Sequence, residues 1–200
     1  PVICSVVSGV DVPRLLFNPQ PELIQPFVDA AIRLEKEGVQ AITGSCGFMA
    51  RFQSIIAEQV HIPVFLSSLL QIPLVRLMHG ASANIGVLTA SSEALTQEHF
   101  NNVDADINNY AVKGMEGYPE FWETIIEGKR HDFDMVKLKS EICHAAKELV
   151  TSKSLDALIL ECTDLSAFSA FIQQTVELPV YDINSLVEFV NYSVCRKVYQ

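Results

Sequence analysis

The chain has 200 residues, of which 49% are apolar and 19% charged, and it carries a formal net charge of −10. This composition predicts a folded globular protein with enough chain for a substantial core. The negative charge argues against nucleic acid and anionic membrane as partners, and no apolar run approaches the ~20 residues that a transmembrane helix needs.

Strand patterns alternate with amphipathic helix patterns along the chain. Strands are predicted at residues 2–8, 39–43, 63–66, 84–89, 107–112, 155–160 and 180–181. Helices are predicted at 21–37 and 47–59, after a cap at Ser67 or Ser68, from Ser91 and Ser92 to 102, at 118–127, at 133–150, after Cys162, and at 184–195. This alternation predicts an α/β fold with mainly parallel sheets flanked by helices.

The cysteine and histidine patterns favour neither a disulfide framework nor a metal site. The cysteines number five and show no CxxC spacing, and the five histidines show no HxxxH or HExxH spacing. The start of the chain, Pro1 to Cys4, lacks the basic segment of a signal peptide. We therefore predict reduced thiols, no bound metal and a cytoplasmic location.

An internal repeat relates the two halves of the chain. Residues 39–74 align without a gap to residues 155–190, at the offset of 116 residues (162 − 46) that separates Cys46 from Cys162. In both segments the cysteine follows an apolar strand pattern and precedes a helix pattern. The repeat therefore predicts two structurally equivalent cysteines, each at the end of a strand.

The repeat also predicts the domain organisation. Two pseudo-symmetric lobes are expected, residues 1–82 and 83–200, with the active site in the cleft between them, because ligands of parallel sheets bind beyond the carboxyl ends of the strands. The strand at 84–89 has a counterpart in the first lobe that would fall before Pro1. We therefore expect the natural protein to have about thirty further N-terminal residues that include its first strand.

Two facing cysteines suit a two-base proton transfer. A thiolate can remove a Cα proton from one face while a thiol delivers a proton to the other, because free cysteine titrates near ~8.5. No cofactor is required if the site stabilises the developing enolate. Candidate donors are the amides around Cys46 and Cys162, and the hydroxyls and amides of Thr89, Ser91 and Ser92.

These motifs resemble the aspartate/glutamate racemase superfamily. The resemblance rests on the Cys46 segment, on Gly-Val-Leu-Thr-Ala-Ser at 86–91, and on Glu-Cys-Thr-Asp at 161–164, which is similar to the Gly-Cys-Thr-Glu of aspartate racemases. It implies proton transfer by Cys46 and Cys162, a two-lobed α/β fold, no pyridoxal phosphate, no metal and a homodimer. The candidate substrate-binding residues are Ser45, Gly47, Phe48, Thr89, Ser91, Thr163 and Asp164.

Glu161 departs from that family pattern, in which glycine is common at this position. Its carboxylate could repel an acidic substrate or point into the sheet, which leaves the identity of the substrate open. We predict a cofactor-independent racemase of a small, acidic, carboxylate-bearing amino acid. The alternatives are a maleate-type cis-trans isomerase, a hydantoin racemase of the same superfamily, and a non-catalytic protein that binds carboxylates or amino acids.

Overall fold

The structure, a computed structural model, describes residues 1–198. Within this range the strands form two parallel sheets, one with the order β1-β2 and the other with the order β4-β3-β5-β6. The strands are β1 (Ile42–Thr43), β2 (Val64–Phe65), β3 (Ile85–Leu88), β4 (Ala111–Lys113), β5 (Ala157–Leu160) and β6 (Val180–Tyr181). The predicted α/β fold with parallel sheets is confirmed.

Helices flank both sheets. They are α1 (Val12–Phe17), α2 (Ile24–Lys36), α3 (Gln53–Ala57), α4 (Ile72–His79), α5 (Gln97–Asn101), α6 (Pro119–Phe121), α7 (Met135–Ser152), α8 (Ser169–Val176) and α9 (Ile183–Val194). Short 3-10 helices precede several of them, and a π-helical turn, Trp122–Ile126, continues α6. Pro73 lies in the first turn of α4, where its missing N–H has no partner to lose.

The structure reproduces the internal repeat residue by residue. In the first sheet Ile42 pairs with Val64, and in the second sheet Leu158 pairs with Val180, which are the same positions at an offset of 116 residues (158 − 42). Apolar residues from both halves nevertheless belong to one continuous core cluster. The division into lobes of residues 1–82 and 83–200 therefore stays a prediction. The homodimer and the cytoplasmic location also stay predictions.

The predicted strand at residues 2–8 is wrong. These residues form no strand, and almost all of them are exposed. In the second sheet the equivalent strand, β4, pairs only with β3, which in turn pairs with β5. No strand within residues 1–198 lies beside β1 in the position that β3 takes beside β5, so residues 2–8 have no ladder to join.

Two further predictions are corrected in the second half. Ser91 accepts the Ala94 N–H (3.2 Å) and caps only an isolated turn, whereas α5 begins later, after a cap at Thr96. The strand predicted at 107–112 begins only at Ala111, because a 3-10 turn, Ile107–Asn109, precedes it. Both shifts occur in loops whose polar side chains compete with the backbone for hydrogen bonds.

Within residues 1–198, helix length and hydropathy together provide no candidate for a membrane-spanning helix.

Buried His99 makes the fold sensitive to acid. Its ring packs edge-on against Phe48, with 5.2 Å between ring centroids, and its Nδ1 accepts the Thr96 N–H (3.1 Å). Burial, followed by the nearby charge of Arg51, lowers the pKa of His99 from 6.5 to about 4. The unfolded chain binds this proton below pH ~6.5, so about 3 kcal/mol of stability is lost as the pH falls from there towards 4.

Urea unfolding near pH 7 and again near pH 4.5 measures this loss. The variant His99→Gln removes the titrating ring, so we expect it to lose about 2 kcal/mol less stability over the same interval. Exposed His131 provides the matched control, because His131→Gln should lose as much as the wild type. Equal losses in His99→Gln and the wild type would contradict the assignment.

Candidate active site

Cys46 lies just beyond β1, at the start of the 3-10 helix Gly47–Phe52. The N–H of Met49 donates to the Cys46 carbonyl oxygen (3.1 Å). This hydrogen bond turns the chain sharply at the end of the strand. The half-buried thiol is thereby held at the carboxyl edge of the first sheet.

Cys162 occupies the matching position beyond β5, at the start of the 3-10 helix Thr163–Phe168. The Leu165 N–H donates to its carbonyl oxygen (3.2 Å). The thiol itself donates to Oδ2 of Asp164 at 3.6 Å. The two cysteines therefore have the same backbone setting, as the repeat predicts, but only Cys162 has a carboxylate as its hydrogen-bond acceptor among the described contacts.

Polar contacts between the halves bring the two cysteine segments together. Oγ1 of Thr163 donates to the carbonyl oxygen of Ser45, and Oγ of Ser68 donates to the carbonyl oxygen of Leu160. The first contact joins the residues next to the two cysteines directly. The thiols are close enough for charge on Cys46 to raise the pKa of Cys162. The structure thus assembles one two-cysteine site from segments far apart in sequence.

Burial keeps both thiols protonated in the free protein. Desolvation, followed by the charge of Glu161, raises the pKa of Cys46 to about 12, although the Phe48 amide lowers it. Desolvation, followed by the charge of Asp164, raises the pKa of Cys162 well above its usual range. A positively charged ligand beside these thiols would oppose both effects, because a nearby opposite charge favours the thiolate.

Some of the predicted substrate contacts lie at the rim of this site. Ser45 and Asp164 are exposed there, and Thr163 is partly exposed with its hydroxyl proton already donated to Ser45. Gly47 is buried, and a Cβ added to it would overlap the carbonyl oxygen and Oε1 of Glu161. Glycine at position 47 is therefore needed for the close approach of the two cysteine segments.

The other predicted contacts are turned into the interior. Thr89 is fully buried, and its hydroxyl donates to Oε2 of Glu161 (2.7 Å). Ser91 is 1% exposed, and its hydroxyl donates to Oε1 of Glu116 (3.1 Å). Phe48 is also 1% exposed and belongs to the apolar core. In this conformation these three side chains support the site from behind, and direct contact with a substrate stays a prediction for them.

Two glutamates complete the polar structure around the site. Sequence reasoning singled out Glu161 only as a departure from a motif, and it did not find Glu116. Oε1 of Glu116 accepts hydrogen bonds from the N–H and hydroxyl groups of Ser92 and from the Glu93 N–H. Burial raises the pKa of Glu116, but the amide of Glu116 itself and the hydrogen bonds from Ser92 and Glu93 together lower it below its usual value. Its only sequence marker is its place between Gly114 and Gly117.

A cavity of about 530 Å³ opens on the Cys46 side of the site. Its walls are mainly apolar and come from residues 2–7, from α2 and from β1, and Cys46 lies in its lining. Among residues 1–198, no group of three or more His, Cys, Asp or Glu side chains is placed to hold a metal ion. The predictions of no metal and no cofactor remain predictions.

Known proteins that resemble this chain in sequence are lyases. No family model matches the chain. Dimethylsulfoniopropionate lyase 6 of Emiliania huxleyi (strain CCMP1516) is 34% identical over 168 residues, which cover 79% of this chain and 43% of that protein. A dimethylsulfoniopropionate lyase of Durusdinium sp. clade D is 32% identical over 169 residues, covering 81% of this chain and 55% of the relative. The chain thus spans about half the length of these curated relatives or less.

Solved structures with the same fold include racemases. Picrophilus torridus aspartate racemase matches with a TM-score of 0.63 at 14% identity, covering 94% of this chain and 77% of the racemase. Glutamate racemase from Campylobacter jejuni subsp. jejuni matches with a TM-score of 0.59 at 14% identity, covering 95% and 74% of the two chains. The predicted resemblance to this superfamily is therefore confirmed at the level of the fold.

The predicted racemase function is contradicted by these comparisons. A likeness at 14% identity shows a shared fold, whereas the relatives at 30–34% identity are named lyases. The prediction inferred racemase activity from the resemblance of two cysteine motifs, but proteins of one fold can use such motifs for different reactions. The chain has the fold of the aspartate and glutamate racemases and a sequence similar to dimethylsulfoniopropionate lyases.

Proposed function

We propose that the two-cysteine site belongs to a carbon–sulfur lyase that acts on dimethylsulfoniopropionate or a closely similar sulfonio carboxylate. The observation that carries this proposal is the 34% identity to curated dimethylsulfoniopropionate lyases over most of this chain. The site geometry supports it, because proton removal next to a carboxylate is the step that both a racemase and such a lyase require. Enzyme activity and substrate are proposals for this chain.

The reaction is a β-elimination that needs one base and no oxidant. The substrate has a carboxylate on Cα and a dimethylsulfonium group on Cβ. A thiolate removes a proton from Cα, and the electron pair of that C–H bond forms the Cα–Cβ double bond. The Cβ–S bond breaks, and its electron pair leaves with sulfur. The products are acrylate, neutral dimethyl sulfide and a protonated cysteine.

Cys162 is proposed as the base. Its sulfur already donates to Oδ2 of Asp164, so this carboxylate can orient the thiol and accept part of its proton. Asp164 is exposed at the rim and carries the charge that a sulfonium cation would approach. Once bound, the sulfonium would lower the pKa of the neighbouring thiol, because the opposite charge favours the thiolate. The substrate would thus help to form the base that attacks it.

The leaving group explains how a racemase fold can serve a lyase. In a racemase the carbanion formed at Cα has to wait for a proton from the opposite face. In a sulfonio carboxylate the carbanion lies next to a carbon that bears an excellent leaving group, so elimination can precede reprotonation. The second cysteine, Cys46, is then not needed as a proton donor. We propose that it shapes the substrate pocket, since it lies in the lining of the adjacent cavity.

The direct test is product formation by the purified protein. We expect dimethyl sulfide in the headspace by gas chromatography and an equal amount of acrylate in solution by proton NMR. The exposed thiol of Cys195 provides a matched control, because Cys195→Ser should release both products at the wild-type rate. A folded wild-type protein that releases neither product from millimolar substrate would refute the proposed function.

A further inference from the structure

Glu161 is the most deeply buried ionisable side chain beside the two cysteines. It is 0% exposed, and its N–H donates to the Leu88 carbonyl oxygen (2.8 Å). Its Oε2 accepts the hydroxyl proton of Thr89 at 2.7 Å. Its Oε1 has no hydrogen-bond partner among the described residues and lies against the backbone of Gly47. The carboxyl group therefore fills the space between the ends of β3 and β5 and the Cys46 turn.

The surroundings of this carboxyl group favour its neutral form. No lysine or arginine within residues 1–198 forms an ion pair with it. A buried carboxylate without a cation is costly, whereas a neutral carboxyl group is tolerated much better. Burial raises the pKa of Glu161 to about 8, and the Thr89 hydroxyl only partly opposes this effect.

Both cysteines lie within reach of the charge that this group would carry. Glu161 precedes Cys162 in the chain and packs against Gly47, which follows Cys46. Ionised Glu161 raises the pKa of each thiol, and Asp164 is the other carboxylate that acts on both. The groups that face one another here are thus two thiols and two carboxyl groups. A second negative charge in this cluster would disfavour the thiolate that the chemistry needs.

We propose that Glu161 is a positioning residue that works as a neutral acid: it sets the spacing of the two cysteine segments, and loss of its proton suppresses thiolate formation at both cysteines. The spacing part follows from its simultaneous contacts with Thr89 and Gly47. The charge part follows from its position next to Cys162 in the chain and against Gly47, which follows Cys46. Its effect on catalysis rests on the proposed lyase function, whereas its effect on the thiols does not.

Alkylation of the half-buried Cys46 tests the charge effect without any substrate. The rate of reaction with uncharged iodoacetamide is followed by peptide mass spectrometry in the wild type and in Glu161→Gln. At about pH 6.5 Glu161 is neutral, so the two rates should agree. At about pH 9.5 we expect Cys46 of Glu161→Gln to react at least about tenfold faster, because a thiol pKa lower by one unit gives about ten times more thiolate.

The pH dependence separates this effect from mere loosening of the structure. A loosened site would react faster at both pH values, whereas removal of a charge acts only at the higher one. Exposed Glu188 supplies the control, since Glu188→Gln should leave the Cys46 profile unchanged. If the alkylation rate of Cys46 in Glu161→Gln, divided by the rate in the wild type, were the same at the two pH values, the proposal would be overturned.

Two further variants keep the proposal testable if Glu161→Gln folds poorly. Thr89→Val removes the hydrogen bond that favours ionised Glu161. The pH at which the alkylation of Cys46 begins to be suppressed should therefore rise, and an unchanged or lower pH would overturn the proposal.

Glu161→Ala should reduce dimethyl sulfide release at least about tenfold near pH 7, and Glu161→Gln should retain it. Equal losses in both would refute the spacing role. A wild type that releases no dimethyl sulfide, yet shows the alkylation profile, would refute the lyase function alone.

Discussion

Replacement of Cys162 by serine is expected to reduce the release of dimethyl sulfide by about 10²–10⁴-fold, the usual contribution of a general base. A hydroxyl in place of the thiol is far more reluctant to lose its proton, and Asp164 cannot compensate for this. The substitution is close to isosteric in a site where Cys162 is 7% exposed, so the fold should be retained. Headspace gas chromatography measures the loss, and circular dichroism checks the fold.

The same change at Cys46 distinguishes elimination from two-base chemistry. If one base suffices, Cys46→Ser should lose no more than about tenfold in rate, much less than Cys162→Ser. Recovery of the unreacted substrate from D2O gives a second readout, because a site that only exchanges protons would deuterate Cα without releasing dimethyl sulfide. Equal losses in the two variants, or a larger loss at Cys46, would contradict the assignment of Cys162 as the base.

Replacement of Gly47 by alanine is expected to disrupt the site and destabilise the fold together. The added Cβ would overlap the carbonyl oxygen of Glu161 and its Oε1. Neither atom can move freely, because Glu161 is held by Leu88 and Thr89. The Cys46 turn must shift instead, at a cost of about 1–3 kcal/mol in the free energy of unfolding. A displacement of this kind should also reduce the proposed lyase activity by about 10²-fold.

Gly117 supplies the control for this change. A Cβ at Gly117 would meet nothing within 4 Å, so Gly117→Ala should unfold at nearly the wild-type urea concentration and keep its activity. The two variants differ by the same single methyl group from the wild type, and only one of them crowds the junction between the cysteine segments. If Gly47→Ala were as stable and as active as Gly117→Ala, the close approach of Glu161 to Gly47 would be refuted.

Most strands and helices could be predicted from the sequence, because their hydropathy periods are local properties. The strands at β3, β5 and β6 and the long helix α7 lie where the patterns place them. The strand predicted at residues 2–8 failed for a different reason. Its β-branched, apolar residues favour an extended chain, but a strand exists only when a neighbour offers backbone hydrogen bonds. In the described chain β1 pairs with β2, and no strand takes the place beside β1 that β3 takes beside β5.

The candidate site could be predicted only in part. The repeat identified Cys46 and Cys162 because both copies keep the cysteine at the same offset, which is visible in one sequence. The burial of Thr89, Ser91 and Phe48 was not visible, because it depends on Glu161, Glu116 and His99, which contact them from other segments. These contacts are tertiary and leave no spacing rule in the sequence.

The sequence by itself determined the α/β class, the repeat and the pair of equivalent cysteines, since composition, periodicity and self-similarity are written along the chain. Only the tertiary structure decided that Glu161 is fully buried with its Oε1 unpartnered among the described residues, and that the absence of a side chain at Gly47 leaves space for it. Burial without a neighbouring cation sets the protonation state of such a group, and burial is a property of the packed chain. Motif resemblance could not supply the chemistry, because the same proton removal precedes either inversion or elimination, and the group on the neighbouring carbon of the substrate decides between them.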